Sequence, residues 1–420
     1  MTDTHGAAIT AYSRHPSGPV QIARHANVES RSRVWTGARI AIHSDLAGVE
    51  SAWREFEQQA IATVFQQFDY LSAWFRHIGS RDAVTPAVVV LRTDDSVLAI
   101  LPLAIERGRF LRRLSWLGQD LCDYLCPLAS MEFAALEPRT VKLLWREIVE
   151  LMQSQSRFHH DLVEFRRMPA MVEGAGNPML ALPTVLHASA AHATTLSGDW
   201  ESFYREHRNG KARKQDRSKL NRLGEFGEVA LVTPSHTADI ADMLAALFQQ
   251  KSEALDSKGI ADVFAKPGHR EFFLDLATSA RTRHLVHVSA LEVGSSLAAI
   301  NLGFEFRDRY SLFLVSYDRS FARLSPGVIH LNKLMQRAIE RGMKVFDFLV
   351  GEQRLKLEWT DSSTALHDYI AASTWRGVPA AAAIDLVARA KRFIKQTPAI
   401  WTAFKALRTQ IGTLRRRFGG

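Results

Sequence analysis

Between Leu285 and Trp359 the apolar positions change period three times. Apolar runs on either side of the polar turn Gly294-Ser-Ser296, from Leu285 and through Ile300, predict a hairpin, and Ser311–Tyr317 a third strand. From Val328 the apolar residues Leu331, Met335 and Ala338 recur at helical spacing, with Lys333, Arg337, Glu340 and Arg341 on the wet side. Ser325 is placed to cap this helix, Pro326 suits its first position and Gly342 its C′ position. A last strand, Lys344–Val350, closes on Asp347-Phe-Leu-Val-Gly-Glu352. The order puts free backbone N–H groups at a helix start just beyond a buried strand, a setting that suits a pyrophosphate.

The same order occurs earlier in the chain. A shift of 200 residues lays Ser96-Val-Leu-Ala-Ile100 over Ser296-Leu-Ala-Ala-Ile300, with Val88 over Val288 and Leu91 over Leu291. Asp161-Leu-Val-Glu-Phe165 then answers Val345-Phe-Asp-Phe-Leu349, and helical stretches, Trp53–Gly79 and Trp200–Gly224, begin the two halves. A duplicated domain explains this order. The halves differ where Gly118-Gln-Asp-Leu-Cys-Asp-Tyr-Leu-Cys126 stands in place of Arg323–Gly327, which makes the first half a structural or acceptor-binding copy and the second the donor-binding one.

Composition adds a boundary. The chain has 420 residues, 46% of them hydrophobic, and a net charge of +9. From Arg376 onward there are ten Lys/Arg and one acid, so residues 1–375 are neutral and the basicity belongs to the tail. There Ile400, Phe404, Leu407, Ile411, Leu414 and Phe418 form an apolar seam beside Lys405, Arg408 and Arg415–Arg417. Such a helix docks on its own domain or lies on an anionic membrane, with nucleic acid disfavoured for want of stacking platforms. A second basic run, Arg205–Arg222, is either a solvated helix face or a positive rim that steers an anion.

Cys122 and Cys126 are too few for a disulfide framework and read as reduced, packed thiols of a cytoplasmic protein. No apolar run reaches the ~20 residues of a membrane span. Residues 1–34, polar and rich in Ser, His, Arg and Gly, are expected to be disordered. His284 and His287, placed in one strand, would point to opposite faces, and no metal is expected.

These residues resemble a known family. The basic helix from Trp200 to Leu223, Ser325-Pro-Gly327, and Asp347-Phe-x-x-Gly351-Glu352 with Lys356 and Trp359 look like the GNAT acyltransferase domain of CelD-type proteins. Those proteins are associated with cellulose and exopolysaccharide synthesis and are related to the Fem-type tandem-GNAT transferases. Pro102-Leu103 and Asp123-Tyr124 resemble the family's N-terminal domain. The resemblance spans about residues 35–375 and implies that acyl-CoA binds where Ser311–Tyr317 and Lys344–Val350 splay apart. Val315 and Ser316 would offer a backbone N–H to the thioester carbonyl, Ser325, Pro326 and Gly327 would cradle the pyrophosphate, and Arg323 would pair with a phosphate.

Acyl transfer needs a base and an acid facing the cleft. Glu352 is the expected base. Asp347 is the alternative, although its alternation with Phe346 and Phe348 turns it toward water. Tyr317 is the candidate acid, and Lys356 would hold an acidic acceptor or a CoA phosphate.

The expectation is thus an α/β (α+β) chain of two tandem GNAT-like domains, each a mixed, mostly antiparallel sheet flanked by helices. Residues 35–190 would form the first, 191–376 the acyltransferase domain, and 377–420 a basic amphipathic helical tail. The expected reaction is acyl-CoA-dependent N- or O-acylation of a sugar, polysaccharide or cell-envelope precursor, in the cytoplasm or at the inner face of the membrane. The alternatives are a non-catalytic scaffold of a polysaccharide synthesis complex and an aminoacyl-tRNA-dependent Fem-type transferase.

Overall fold

A computed structural model describes residues 28–397. The first half opens with strands β1 (Val28–Arg31) and β2 (Arg39–His43), followed by helices α1 (Glu50–Glu57) and α2 (Phe68–Trp74). Next come β3 (Val88–Arg92), β4 (Val97–Leu101), β5 (Leu103–Arg107), β6 (Arg112–Trp116), α3 (Pro138–Gln153) and β7 (Leu162–Pro169). β1 lies inside the segment expected to be disordered, because pairing along β2 gives its polar backbone a partner.

The second half begins with β8 (Ala191–Thr195), α4 (Trp200–His207), α5 (Gly210–Gly224) and β9 (Val229–Val232), then α6 (Thr237–Asp256) and α7 (His269–Thr278). It continues through β10 (Val286–Val293), β11 (Ser296–Phe306), β12 (Arg309–Tyr317), α8 (Pro326–Glu340) and β13 (Val345–Val350). After β13, strand β14 (Leu366–Ala372) returns to the first half, and α9 (Gly377–Gln396) follows it.

The duplication reaches the level of single hydrogen-bonded pairs. Val90 faces Ile100, Leu91 faces Ala99 and Arg92 faces Val97 in the first hairpin. In the second, Ala290 faces Ile300, Leu291 faces Ala299 and Glu292 faces Leu297. Both ladders slip at the same place, leaving Leu98 and its counterpart Ala298 bulged. Each half also carries one short parallel pair, β6 with β7 and β12 with β13. The long strand β11 has a broken counterpart, since Pro102 lacks an N–H and separates β4 from β5. The helical pair equivalent to α1 and α2 is α6 and α7, not the expected Trp200–Gly224 stretch: α4 and α5 precede β9 and have no counterpart before β2.

The second-half sheet runs β9-β10-β11-β12-β13-β8 and ends on Ser362–Thr364. A six-stranded sheet of the first half runs Val185–Leu186, β14, β7, β6, β5 and Val84–Pro86. The halves share a core: Phe65 and Tyr70 of the first pack edge-on against Phe304 of the second, with ring centroids 5.8 and 5.6 Å apart. Tyr70 also meets Phe272 at 5.3 Å. Such aromatic pairs add about 0.5–1.5 kcal/mol each beyond their buried area, so the relation between the halves is fixed by packing.

Helix α8 ends as its sequence implies. Gly342 is left-handed (φ 76°), its N–H bonds Ile339 O at 2.8 Å, and Met343 N–H bonds Ala338 O at 3.0 Å, a Schellman motif. Its start differs from expectation. Ser325 occupies the cap position but is itself left-handed (φ 54°), and its side chain makes no capping bond, because a short helix over Arg319–Leu324 runs straight into it. Pro326 holds the first helical position as expected.

Candidate functional site

Strands β12 and β13 pair over only three positions, Arg309–Val345, Tyr310–Phe346 and Ser311–Asp347, and then part. Both strands bulge where they separate. Against β11, Leu314 faces Leu302 and Leu312 faces Gly303, which leaves Phe313 extra. Against β8, Leu349 faces His192 and Asp347 faces Ala193, which leaves Phe348 extra. A bulge bends its strand and increases the local twist, so two bulges side by side open a cleft between parallel neighbours.

Each bulge is anchored. The ring of Phe313 packs on Phe65, Phe273 and Phe304 at 5.8, 5.9 and 5.2 Å. In β13 the backbone passes through the left-handed region at Leu349 (φ 59°), a costly conformation for a branched side chain. The carboxylate of Asp347 stabilises it by accepting the Leu349 N–H at 2.8 Å.

Asp347 corrects one expectation. Its alternation with Phe346 and Phe348 does turn it away from their core, but the face it reaches is covered by the first half, not by water. It is 1% exposed. Tyr124 donates its hydroxyl to both carboxylate oxygens at 2.9 and 3.0 Å, and Arg309 donates from Nη1 at 2.9 Å. Burial pushes the Asp347 carboxyl above its usual range, against the pull of Arg309, the Leu349 N–H and Tyr124. Asp123, also raised by burial, lies 3.7 Å from Arg167 and accepts from Val350 N–H at 3.5 Å.

Asp123 and Tyr124 come from the loop that replaces Arg323–Gly327 in the first half. That loop fills the gap at its own parallel pair, where Gln119 accepts from Arg166 N–H at 3.3 Å and Leu125 N–H bonds Arg167 O at 3.2 Å. Its tip then reaches the second half. No local pattern reveals this contact, which spans 223 residues.

The cleft holds a cavity of about 110 Å³. Val315 and Gly327 line it, as do Lys251 of α6, Phe313, His330 of α8 and Lys356. A Cβ built on Gly327 would meet nothing within 4 Å, so the protein's own packing does not require glycine there. The space in front of Gly327 therefore fits a ligand backbone or phosphate approaching the start of α8. Lys356 extends its ammonium to Phe348 O at 2.5 Å and Val350 O at 3.5 Å, carbonyls on the edge that β12 leaves free. Burial lowers its pKa, while Asp123, Asp347 and Glu352 oppose the shift.

Ser316, Tyr317, Arg323, Ser325, Pro326 and Glu352 are not among the residues that line the cavity. Ser316 turns its hydroxyl away, donating to Gln250 Oε1 at 2.8 Å. Arg323 is exposed on the short helix before Ser325. Tyr317 ends β12 at 47% exposure. Glu352 is exposed beyond β13 and accepts from Ala190 N–H at 3.0 Å.

His284 lies in a turn before β10, not in the strand; His287 is buried and hydrogen-bonds the Tyr310 hydroxyl at 2.8 Å. Among the described residues no group of His, Cys, Asp and Glu could hold a metal. Cys122 and Cys126 are free and buried, and burial raises both thiols.

Comparison with known proteins bears on this geometry. Residues 210–357 match the acetyltransferase (GNAT) domain family. The chain thus carries a GNAT-fold acetyltransferase domain. Its match begins at α5 and ends just past Lys356, so the cleft lies inside it. No curated protein matches the sequence.

Among solved structures the fold is similar to FemX, at 8% identity and TM-score 0.53, covering 76% of this chain and 96% of that one. It also overlaps the C-terminal domain of a putative lysylphosphatidylglycerol synthetase from Agrobacterium fabrum, at 13% identity and TM-score 0.48, covering 81% and 95%. A tandem GNAT protein from the clavulanic acid biosynthesis pathway overlaps at 10% identity and TM-score 0.43, covering 80% and 99%. These are likenesses of fold. No described helix is long and apolar enough to cross a membrane.

Proposed function

We propose that the chain transfers an acyl group from acyl-CoA to an amine or hydroxyl of a sugar, polysaccharide or cell-envelope precursor. The observation that carries this reading is the cleft where two bulged parallel strands part beside the start of α8. When bound, acyl-CoA supplies the thioester. Val315 and Ser316 lie on the free stretch of β12, where a backbone N–H can polarise a carbonyl, a contact of about 3 kcal/mol in transition-state energy. Gly327 leaves room at the helix start for phosphate oxygens, Ser325 and Pro326 shape that turn, and exposed Arg323 is the cation beside them.

Lys356 is the charged side chain that lies along the β13 wall of the cleft. Its ammonium can face either the oxyanion or an acidic acceptor. Glu352, at the solvent end of β13, is the proposed base and Tyr317, across the opening, the proposed acid. The buried position of Asp347 makes it the residue that holds β13 in shape.

Calorimetric titration with acetyl-CoA tests the reading. We expect one binding site per chain; the absence of heat at millimolar ligand would favour a scaffold. Transfer from an aminoacyl-tRNA but not from acyl-CoA would favour a Fem-type reaction instead.

A further inference from the structure

The cavity in the cleft has a polar floor that no role above uses. Lys251 enters from α6 on one face of the sheet, and His330 enters from α8 on the other. Phe313, Val315 and Leu331 supply apolar lining, and Gln353 and Lys356 complete the polar part. Lys251 has no carboxylate and no hydrogen-bond partner among the described residues. Its charged neighbours are Lys258 and Lys356, which together with burial pull its ammonium down to about 8. At neutral pH it still carries its charge, uncompensated. A partly buried cation in that state costs free energy that an anion in the cavity would recover.

His330 is fully buried, and neither ring nitrogen has a hydrogen-bond partner. Burial holds its imidazole neutral, with a pKa lowered to about 3. It therefore offers one N–H donor and one acceptor to whatever enters. An unsatisfied buried polar group costs about 1–3 kcal/mol, and a ligand that pairs with it removes that cost. A cavity of about 110 Å³ is smaller than the roughly 150 Å³ void that takes up benzene in another protein, so it suits a small group. A fatty acyl chain or a sugar ring is too large for it.

We propose that the acyl group taken by this cleft is short and ends in a carboxylate, a thioester of a small dicarboxylic acid, with the carboxylate held by Lys251 and His330. This rests on the acyl-CoA reading and names the substrate class within it. In the transfer step the acceptor's nitrogen or oxygen bonds to the thioester carbonyl carbon and the carbon–sulfur bond breaks. The electron pair goes to sulfur, and the proton lost by the acceptor is matched by one gained at the thiol. The distant carboxylate keeps its charge throughout. The same lining works against an aminoacyl group, whose ammonium would meet Lys251 and Lys356 together.

Binding measured by calorimetry decides the matter without knowledge of the acceptor. The probes are succinyl-CoA, acetyl-CoA and β-alanyl-CoA, the last carrying an ammonium where succinyl carries a carboxylate. We expect succinyl-CoA to bind at least tenfold tighter than acetyl-CoA, and β-alanyl-CoA weakest. In Lys251→Met the succinyl preference should fall to near unity. In His330→Leu it should shrink several-fold, while thermal melts show neither variant less stable than the parent. Equal affinity for succinyl- and acetyl-CoA in the parent, or a preference unchanged in Lys251→Met, would overturn the proposal. Failure of all three thioesters to bind at millimolar concentration would overturn the donor reading itself.

Discussion

Replacing Asp347 by alanine removes a group that ties β13, its bulge and the first half together. The variant strands the Tyr124 hydroxyl and the Leu349 N–H, each buried, at about 1–3 kcal/mol apiece. The ion pair with Arg309 adds less. Arg309 is 35% exposed, so water takes over part of its solvation, and about 1 kcal/mol is a fair share. Against these losses stands the recovered cost of burying a carboxylate. The balance is a destabilisation of about 3 kcal/mol, read as a lower urea midpoint with an unchanged slope.

The loss should also reach the cleft. Without the Asp347 acceptor, the left-handed backbone at Leu349 loses its local support and the Phe348 carbonyl its place against Lys356. Acetyl-CoA affinity should fall at least tenfold. Tyr124→Phe isolates the contact between halves, and we expect about 1–2 kcal/mol for that hydroxyl alone. A cost below 1 kcal/mol for Asp347→Ala with unchanged donor binding would refute the assignment.

Further outcomes follow from other sites. Gly327→Trp should abolish acetyl-CoA binding and leave the melting temperature within a few degrees, since a Cβ there meets nothing within 4 Å and the ring would enter the cleft; retained binding would place the donor elsewhere. Burial raises the Glu57 pKa from 4.5 to about 7, so its carboxyl binds more protons folded than unfolded and stability falls as pH rises through that window. The full shift corresponds to about 3 kcal/mol, and with Arg54 and the Phe68 N–H nearby we expect Glu57→Gln to gain about 1–2 kcal/mol at pH 8 and almost nothing at pH 4.5. Urea titrations at the two pH values check this, and an equal gain at both would contradict it. Leu386, Val387 and Phe393 of α9 are 68, 50 and 63% exposed, so the chain should float with anionic liposomes and lose that ability without residues 377–420; equal flotation would exclude the tail as a membrane contact.

The duplicated hairpin was legible because its register rests on local alternation, and Ser96–Ile100 matches Ser296–Ile300 at three of five positions, with apolar residues at the other two. Helix α8 was legible at its end, where Gly342 satisfies a local backbone need, and less so at its start, where the preceding short helix overrides the capping tendency of Ser325. The parting of β12 and β13 followed from the family resemblance, but the bulges that cause it leave no mark in composition. The environment of Asp347 was illegible for a topological reason: alternation fixes which face a side chain takes, not what covers that face. Lys251 and His330 belong to the same class, since each looks like an ordinary helix residue until two helices on opposite faces of a sheet meet through a gap in it. The seam from Ile400 to Phe418 lies outside the described residues.

Strand β14 gives this molecule a timing problem. Its partner β7 ends at Pro169, whereas β14 begins at Leu366, so nearly half the chain must be made before that pair can form. At about 5–20 residues per second the wait is roughly 10–40 s. During it β7 presents an open row of N–H and C=O groups, the kind of edge on which nascent chains associate. A cut between the halves would make the wait permanent: a fragment ending near residue 190 keeps β7 but never receives β14, and one starting there carries β14 with nothing to pair against. For this chain the unit of folding, and so of expression and dissection, is the whole of residues 28–397.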